Sequence, residues 1–266
     1  DRVVSNGSHS EYVLVPEKLC ALIPKNVSNN SAVFTVLASI GLQGIRLAKP
    51  TLGETFLVSG LGIIGLLTAQ LLIAQGCEVI GLDVDLSKCK LAEKIGIKTL
   101  HITEGSDPVN WVLNETRSLG VDGVLITAAT KSNDPIEIAA KSTRQRGRII
   151  LVGVTGLNIN REHFYKKELT FQVSCSYGPG RYDHNYEQDG NDYPIAFVRW
   201  TEERNFEAIL NLLSNNKIKT KDLISNQINF ENANLAYEQL INDSSILGLI
   251  LEYEHTETNI NNTITF

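Results

Sequence analysis

The sequence predicts an α/β fold built on a doubly wound, parallel, six-stranded sheet. Three observations carry this reading. From Thr55 to Cys175, short apolar runs alternate with stretches of helical length. Gly76, Gly96, Gly120 and Gly147 fall where a helical pattern gives way to a strand pattern, the place where a left-handed residue ends a helix. The strand runs are apolar without alternation, as expected when helices cover both faces of a parallel sheet.

Composition bounds the function. The chain has 266 residues, 42% hydrophobic and 20% charged, with a formal net charge of -6. An acidic balance makes neither nucleic acid nor an acidic membrane the expected partner. No apolar run is read as reaching the ~18 residues that span a bilayer, and no leader is read at the start. Cys20, Cys77, Cys89 and Cys175 are scattered, without a C-x-x-C pair. They are expected to be free thiols in a reducing, cytoplasmic setting. The chain opens on Asp1 and contains no Met, and is read as a piece of a longer protein.

Taken in order, residues 2–4 read as a strand, 6–8 as a turn, and 12–15 as a second strand closed by Pro16. Residues 27–30 resemble a helix start, and 31–47 carry apolar residues at helical spacing before Pro50. Residues 51–54 form a turn into the central unit. There, strand 56–58 leads into Gly60-Leu61-Gly62-Ile63-Ile64-Gly65, a helix runs to Gln75, and strand 78–82 ends at Asp83. Further helices are expected at 87–95, 107–119 and 135–146. The strands between them are 98–102, 123–127 and 148–152, with 169–175 as the sixth of the sheet. After an irregular stretch, helix 204–215, strand 228–230, helix 232–242 and strand 247–253 close the pattern. Residues 254–266 have little core-forming content.

The central unit carries the chemistry. A G-x-G-x-x-G motif between a strand and a helix, with an acidic residue at the end of the next strand, is a dinucleotide-binding fingerprint. Gly60 allows the tight turn, Gly62 lets backbone approach a pyrophosphate, and Gly65 permits close helix–strand packing. The free N–H groups at the helix N-terminus attract phosphate. Asp83 would accept hydrogen bonds from ribose hydroxyls and repel a 2′-phosphate, which favours NAD over NADP.

The irregular stretch 176–203 is polar, aromatic and rich in turns, and a loop of that length is often functional. It makes Tyr177, Arg181, Tyr182 and His184 the candidates for substrate contact. A Tyr can donate a proton, and an Arg can hold a carboxylate or phosphate bidentately. The five histidines show no metal-ligand spacing. Arg144, Arg146 and Arg148 read as a solvated helix end.

The order of elements resembles the medium-chain dehydrogenase/reductase family, the alcohol-dehydrogenase-like proteins. The likeness rests on Asp1-Arg2-Val3, on Glu11-Tyr12 with Val15-Pro16, and on Leu52-Gly53-Glu54 before the glycine motif. It rests also on Asp83 with Lys88, on Val152-Gly153-Val154, and on residues 233–240 followed by 247–251. The resemblance implies a Rossmann-type sheet with remnants of a GroES-like β domain. Residues 1–28 would be part of that catalytic domain and 29–178 the NAD-binding domain. An insert and helix would occupy 179–222, a return to the catalytic domain 223–253, and a tail or linker 254–266. Cofactor contacts are then implied at Ser39, Gly60, Gly62, Ile63, Ile64, Gly65, Asp83, Lys88, Thr127, Val152, Gly153 and Val154.

The resemblance further implies an NAD-dependent oxidoreductase moving a hydride to or from a sugar, polyol or similar alcohol or carbonyl. The alternatives are a zinc-independent quinone or enoyl-type reductase, or a non-catalytic nucleotide-binding half of a larger protein. A homo-oligomer, dimer or tetramer, is expected. Residues 174–183 and 192–213 are similar to bacterial bi-domain oxidoreductases, which implies a second oxidoreductase domain in the full-length chain. Thr35 stands where the family's zinc enzymes carry a Cys. A neutral hydroxyl is a poor zinc ligand, so no metal is expected.

Overall fold

The computed structural model describes residues 1–243 and 245–254. They form two compact units, Asp1–Asp222 and a second beginning at Leu223. In the first unit the elements are β1 (Val3–Ser5), β2 (Cys20–Leu22), α1 (Asn29–Ala32), α2 (Thr35–Ala48), β3 (Thr55–Ser59) and α3 (Ile63–Ala74). Then follow β4 (Glu78–Asp83), α4 (Leu86–Lys94), β5 (Lys98–His101), α5 (Pro108–Glu115), β6 (Val121–Ile126) and α6 (Asp134–Ser142). The unit closes with β7 (Thr143–Leu151), α7 (Arg161–Tyr165), β8 (Thr170–Val173), α8 (His184–Glu187) and α9 (Glu202–Ser214).

The sheet has six strands in the order β5-β4-β3-β6-β7-β8, all parallel. This is the doubly wound α/β fold the sequence predicts. One core cluster, with Leu57, Leu82, Val124, Ile126, Ile136 and Ile149 at its centre, fills the space under one layer of helices. α2 packs on the other layer, where two of its glycines bring backbones close. A Cβ at Gly41 would fall 2.2 Å from Thr68 Oγ1, and one at Gly44 would fall 2.5 Å from Val152 Cγ2. Local signals set the helix starts. Asp85 accepts from Ser87 N at the head of α4, and Asp107 from Asn110 N at the head of α5, where Pro108 follows.

Several expectations are corrected. Residues 12–15 form no strand; β1 pairs antiparallel with Cys20–Leu22 instead. Tyr12 and Leu14 are 85% and 102% exposed, so their β propensity has no surface to pack on. Helix 107–119 stops at Glu115, where Arg117 and Ser118 turn left-handed (φ 52° and 65°). Helix 135–146 stops at Ser142, and the nine-residue β7 starts at once. Arg146 (φ 59°) bends that strand and donates its N–H to Lys167 O at 2.7 Å, so Gly147 lies within a strand rather than behind a helix. Arg144, Arg146 and Arg148 are therefore strand residues, paired with Asp122, Glu168 and Glu54.

Residues 29–48 also correct the reading that no stretch is long enough to span a bilayer. By length and composition they qualify, with mean hydropathy 1.4, but 61% of the most apolar window is buried inside this fold. The second unit contains β9 (Ile224–Asn229), α10 (Ala233–Asn242) and β10 (Gly248–Glu252), with the two strands parallel. β9 is longer than the expected 228–230, and Phe230 stacks on Tyr253 at 4.4 Å. From residue 255 the expected tail lies outside the described residues.

Candidate dinucleotide site

The strand order reverses at β3. β4 and β5 lie to one side of it, and β6, β7 and β8 to the other. A crevice therefore opens beyond the carboxyl ends of β3 and β6, where ligands of such sheets bind. Gly60 turns the chain there with φ 99°, and a Cβ at that position would be 2.5 Å from Ala128 N. Thr127 Oγ1 donates to Gly60 O at 2.5 Å and clamps the turn. A Cβ at Gly65 would fall 1.9 Å from Gly60 O, so the helix meets the turn backbone to backbone.

Gly62 differs from its neighbours. Its backbone is extended (φ -65°, ψ -173°), a conformation open to any residue. A Cβ there would meet nothing within 4 Å. The protein itself therefore does not require glycine at this position, whereas a ligand lying against the backbone does. No side chain caps α3, and its first turn holds no acidic residue, so the N–H groups of Ile63 and Ile64 remain for an anion.

Asp83 is tied to the glycine loop. Its Oδ2 accepts from Leu61 N at 2.5 Å and its Oδ1 from Asp85 N at 2.8 Å. Leu61 is fully buried and uses the space left by Gly81, where a Cβ would come within 2.9 Å of Leu61 Cδ2. Leu61 and Gly81 thus help shape the site. The sequence hint was a glycine in the middle of an apolar strand. Lys88 is paired with Asp85, Nζ to Oδ2 3.6 Å, not with Asp83.

The opposite wall is backbone. Val152 N and Gly153 N donate to Ile126 O at 2.9 Å, Val154 N donates to Ala128 O at 3.0 Å, and Thr130 N donates back to Val154 O at 2.8 Å. This extends the parallel pairing past the sheet and leaves Val154 71% exposed. Ser39 does not join the wall. It is fully buried within α2 and its Oγ donates to Thr35 O at 2.9 Å, so the expected nicotinamide contact is corrected.

Of the four substrate candidates, Arg181 brings three together, its guanidinium carbon 5.5 Å from the Tyr177 ring centroid and 4.2 Å from that of Tyr182. Tyr177 is buried; its hydroxyl accepts from Asn6 Nδ2 at 2.7 Å, and its ring packs on Phe206. Burial pushes its phenol up from the usual range, the wrong direction for a ready proton donor. Arg181 is held by Glu187 at 2.6 Å and lies over the Tyr182 ring, so its guanidinium is already committed to a carboxylate. Tyr182 is 72% exposed. His184 is exposed at the head of α8, 3.6 Å from Asp189. Among the described residues, no hydrogen bond or ion pair links these four to the Gly60–Asp83 unit.

Sequence reasoning missed Glu202. It begins α9 fully buried, and neither carboxyl oxygen has a hydrogen-bond partner among the described residues. Burial, with the nearby Glu187 charge second, pushes its carboxyl up to about 8.

Zinc does not fit the residues present. Thr35 Oγ1 is buried without a hydrogen-bond partner, and a hydroxyl is a weak ligand. Among the described residues no three His, Cys, Asp or Glu side chains gather to hold a metal ion. All four cysteines are free thiols.

A glycine turn, an uncapped helix N-terminus and a tethered aspartate at the switch point of a parallel sheet define a dinucleotide-binding α/β protein. Residues 64–189 match the family described as zinc-binding dehydrogenase. The D-guloside 3-dehydrogenase of Escherichia coli (strain K12) is 27% identical over all of this chain and 71% of its own length. Galactitol-1-phosphate dehydrogenase from Escherichia coli superposes with a TM-score of 0.73 at 21% identity, over 90% of this chain and 64% of that one. The rspB alcohol dehydrogenase from E. coli CFT073, solved with NADH, superposes with a TM-score of 0.74 at 21% identity, over 92% of this chain and 66% of that one. The chain thus spans less than two thirds of the solved dehydrogenases it matches. Over these residues it is similar to the zinc-type medium-chain dehydrogenases.

Proposed function

We propose that this chain is the cofactor-binding part of an NAD-dependent oxidoreductase that moves a hydride to or from a sugar, polyol or similar alcohol or carbonyl. The observation that carries the cofactor is Gly62: open space over an extended residue, at the head of a helix with free N–H groups. The pyrophosphate is assigned to that backbone. Gly60, Gly65 and Thr127 hold the turn in shape. Asp83 takes the adenosine ribose, because two backbone N–H groups aim its carboxylate and leave lone pairs free. Lys88 contributes positive charge beside Asp85 rather than a bond to Asp83. The backbone at 152–154, half-buried at Val152 and Gly153 and exposed at Val154, takes the nicotinamide carboxamide. Bound NAD would supply the hydride chemistry, and the protein supplies position and exclusion of water.

The substrate class rests on relatives whose names are those of sugar and polyol dehydrogenases. The substrate-binding residues, a homo-oligomer and a second oxidoreductase domain belong to this reading as expectations for the whole protein.

Thermal unfolding with NAD, NADP and S-adenosylmethionine tests the cofactor. NAD at 100 times its Kd stabilises by about 2.7 kcal/mol, which raises the melting temperature by several degrees. A shift with NADP alone overturns the role of Asp83, and a shift with S-adenosylmethionine alone overturns the function.

A further inference from the structure

Arg181 stands between two carboxyl groups and uses one of them. It holds Glu187, Nη1 to Oε1 2.6 Å, and the same Oε1 accepts from Tyr182 N at 3.2 Å. Its Nε is buried with no acceptor among the described residues. The second carboxyl is that of Glu202, fully buried at the head of α9, with no hydrogen-bond partner on either oxygen among the described residues. Glu202 N donates to Pro179 O at 2.9 Å, which ties the helix start to the turn that carries Arg181. One cluster thus contains a buried N–H without an acceptor and a buried carboxyl without a donor.

The two carboxyl positions are not equivalent. The Glu187 side chain keeps 10% exposure, next to a Tyr182 that is 72% exposed, whereas Glu202 has none. A carboxylate at Glu202 has no water to turn to, and Arg181 is the positive charge that acts on it. Glu187 gives up its guanidinium at less cost, because water reaches it.

The other groups that face Glu202 do not supply that relief. On α9, Glu203 is held by Lys18 of the 17–19 turn at 3.3 Å. On α8, the Tyr186 hydroxyl is also buried without a partner. Burial pushes the Tyr186 and Tyr177 phenols up, and the Asp183 carboxylate does the same to Tyr193. All three stay neutral while Glu202 titrates. Burial, then the Glu187 charge, raises Glu202 to about 8 against the pull of Arg181, so the proton leaves at mildly alkaline pH.

We propose that Arg181 is a latch with two carboxylate seats: it holds Glu187 while Glu202 keeps its proton, and Glu202 once that proton has passed to solvent. In the second state Glu187 turns to water, Tyr182 N loses its acceptor, and the 181–187 turn loosens. Arginine labelled with 15N gives the Arg181 Nε–H signal, which Arg181→Lys assigns. From about pH 6.5 to 9.5 that signal is expected to move downfield along one curve with its midpoint at about 8. Glu202→Gln, neutral throughout, is expected to abolish the transition. Glu187→Gln is expected to keep it and to lower the midpoint by about one unit, because the opposing charge is gone and Arg181 is free for Glu202. Chymotrypsin, cutting after Tyr182, reads the loosening. Cleavage of the parent relative to Glu202→Gln is expected to rise about fivefold between pH 7 and pH 9. A flat Arg181 signal overturns the latch. So does a transition that survives Glu202→Gln or keeps its midpoint in Glu187→Gln. A transition without the change in cleavage shows one arginine serving both carboxylates at once, and overturns the exchange as well.

Discussion

Asp83 is where the account is most exposed at the scale of single residues. Its carboxylate is aimed by Leu61 N and Asp85 N, and its negative charge is what disfavours a 2′-phosphate. Asp83→Asn keeps the size and one acceptor but removes the charge. We expect NADH to bind roughly tenfold more weakly, about 1.4 kcal/mol, with the preference moving toward NADPH. Calorimetric titration of both cofactors measures this, and an unchanged ratio of affinities would contradict it. Asp83 was legible because the motif places an acid at the end of the second strand. Leu61 and Gly81 were not, because the pattern constrains the glycines and is silent about which apolar side chain fills the space behind them. Ser39 failed because a sequence position does not say which way a helix face turns; here it turns into the core.

Among the elements, α9 carries an unusual start. Helix N-termini favour acids, but Glu202 is buried there without a partner, beside a Glu187 already used by Arg181. Its carboxyl, raised from 4.5 to about 8 in the folded chain, keeps its proton when folded across a range in which the unfolded chain has lost it. The folded state binds more protons in that window, so stability falls as pH rises through it and levels off above. Glu202→Gln stays neutral throughout. It is expected to melt higher than the parent near pH 8.5, by on the order of 5 °C, and to match it near pH 4.5. Parallel melting curves for parent and variant across that range would contradict the assignment. Other boundaries failed for reasons of the same scale. The end of α6 is held by Lys167, whose Nζ donates to Ala140 O, Lys141 O and Thr143 O, a partner far in sequence. Residues 12–15 carry strand-like side chains but have no surface to pack on.

For the whole molecule, the parallel sheet was the most legible feature, because apolar strands and helical stretches alternate with little interruption over more than a hundred residues. The 29–48 helix shows the limit of such reading. Its composition suits a bilayer as well as a core, and only packing on α3 and α9 decides. The substrate side was least legible. Its candidates sit in a segment whose arginine and tyrosines are spent on one another, so residue type alone did not reveal availability. What the molecule offers a ligand is chiefly backbone, and the claim that this backbone holds a dinucleotide has a direct test. Gly62→Val adds a side chain whose Cβ lies in open space, on a residue with extended backbone. The melting temperature of the free protein is predicted to stay within about a degree of the parent. NADH affinity by calorimetry is predicted to fall at least a hundredfold, about 2.7 kcal/mol. NADH binding that survives the substitution in a folded protein would contradict the account.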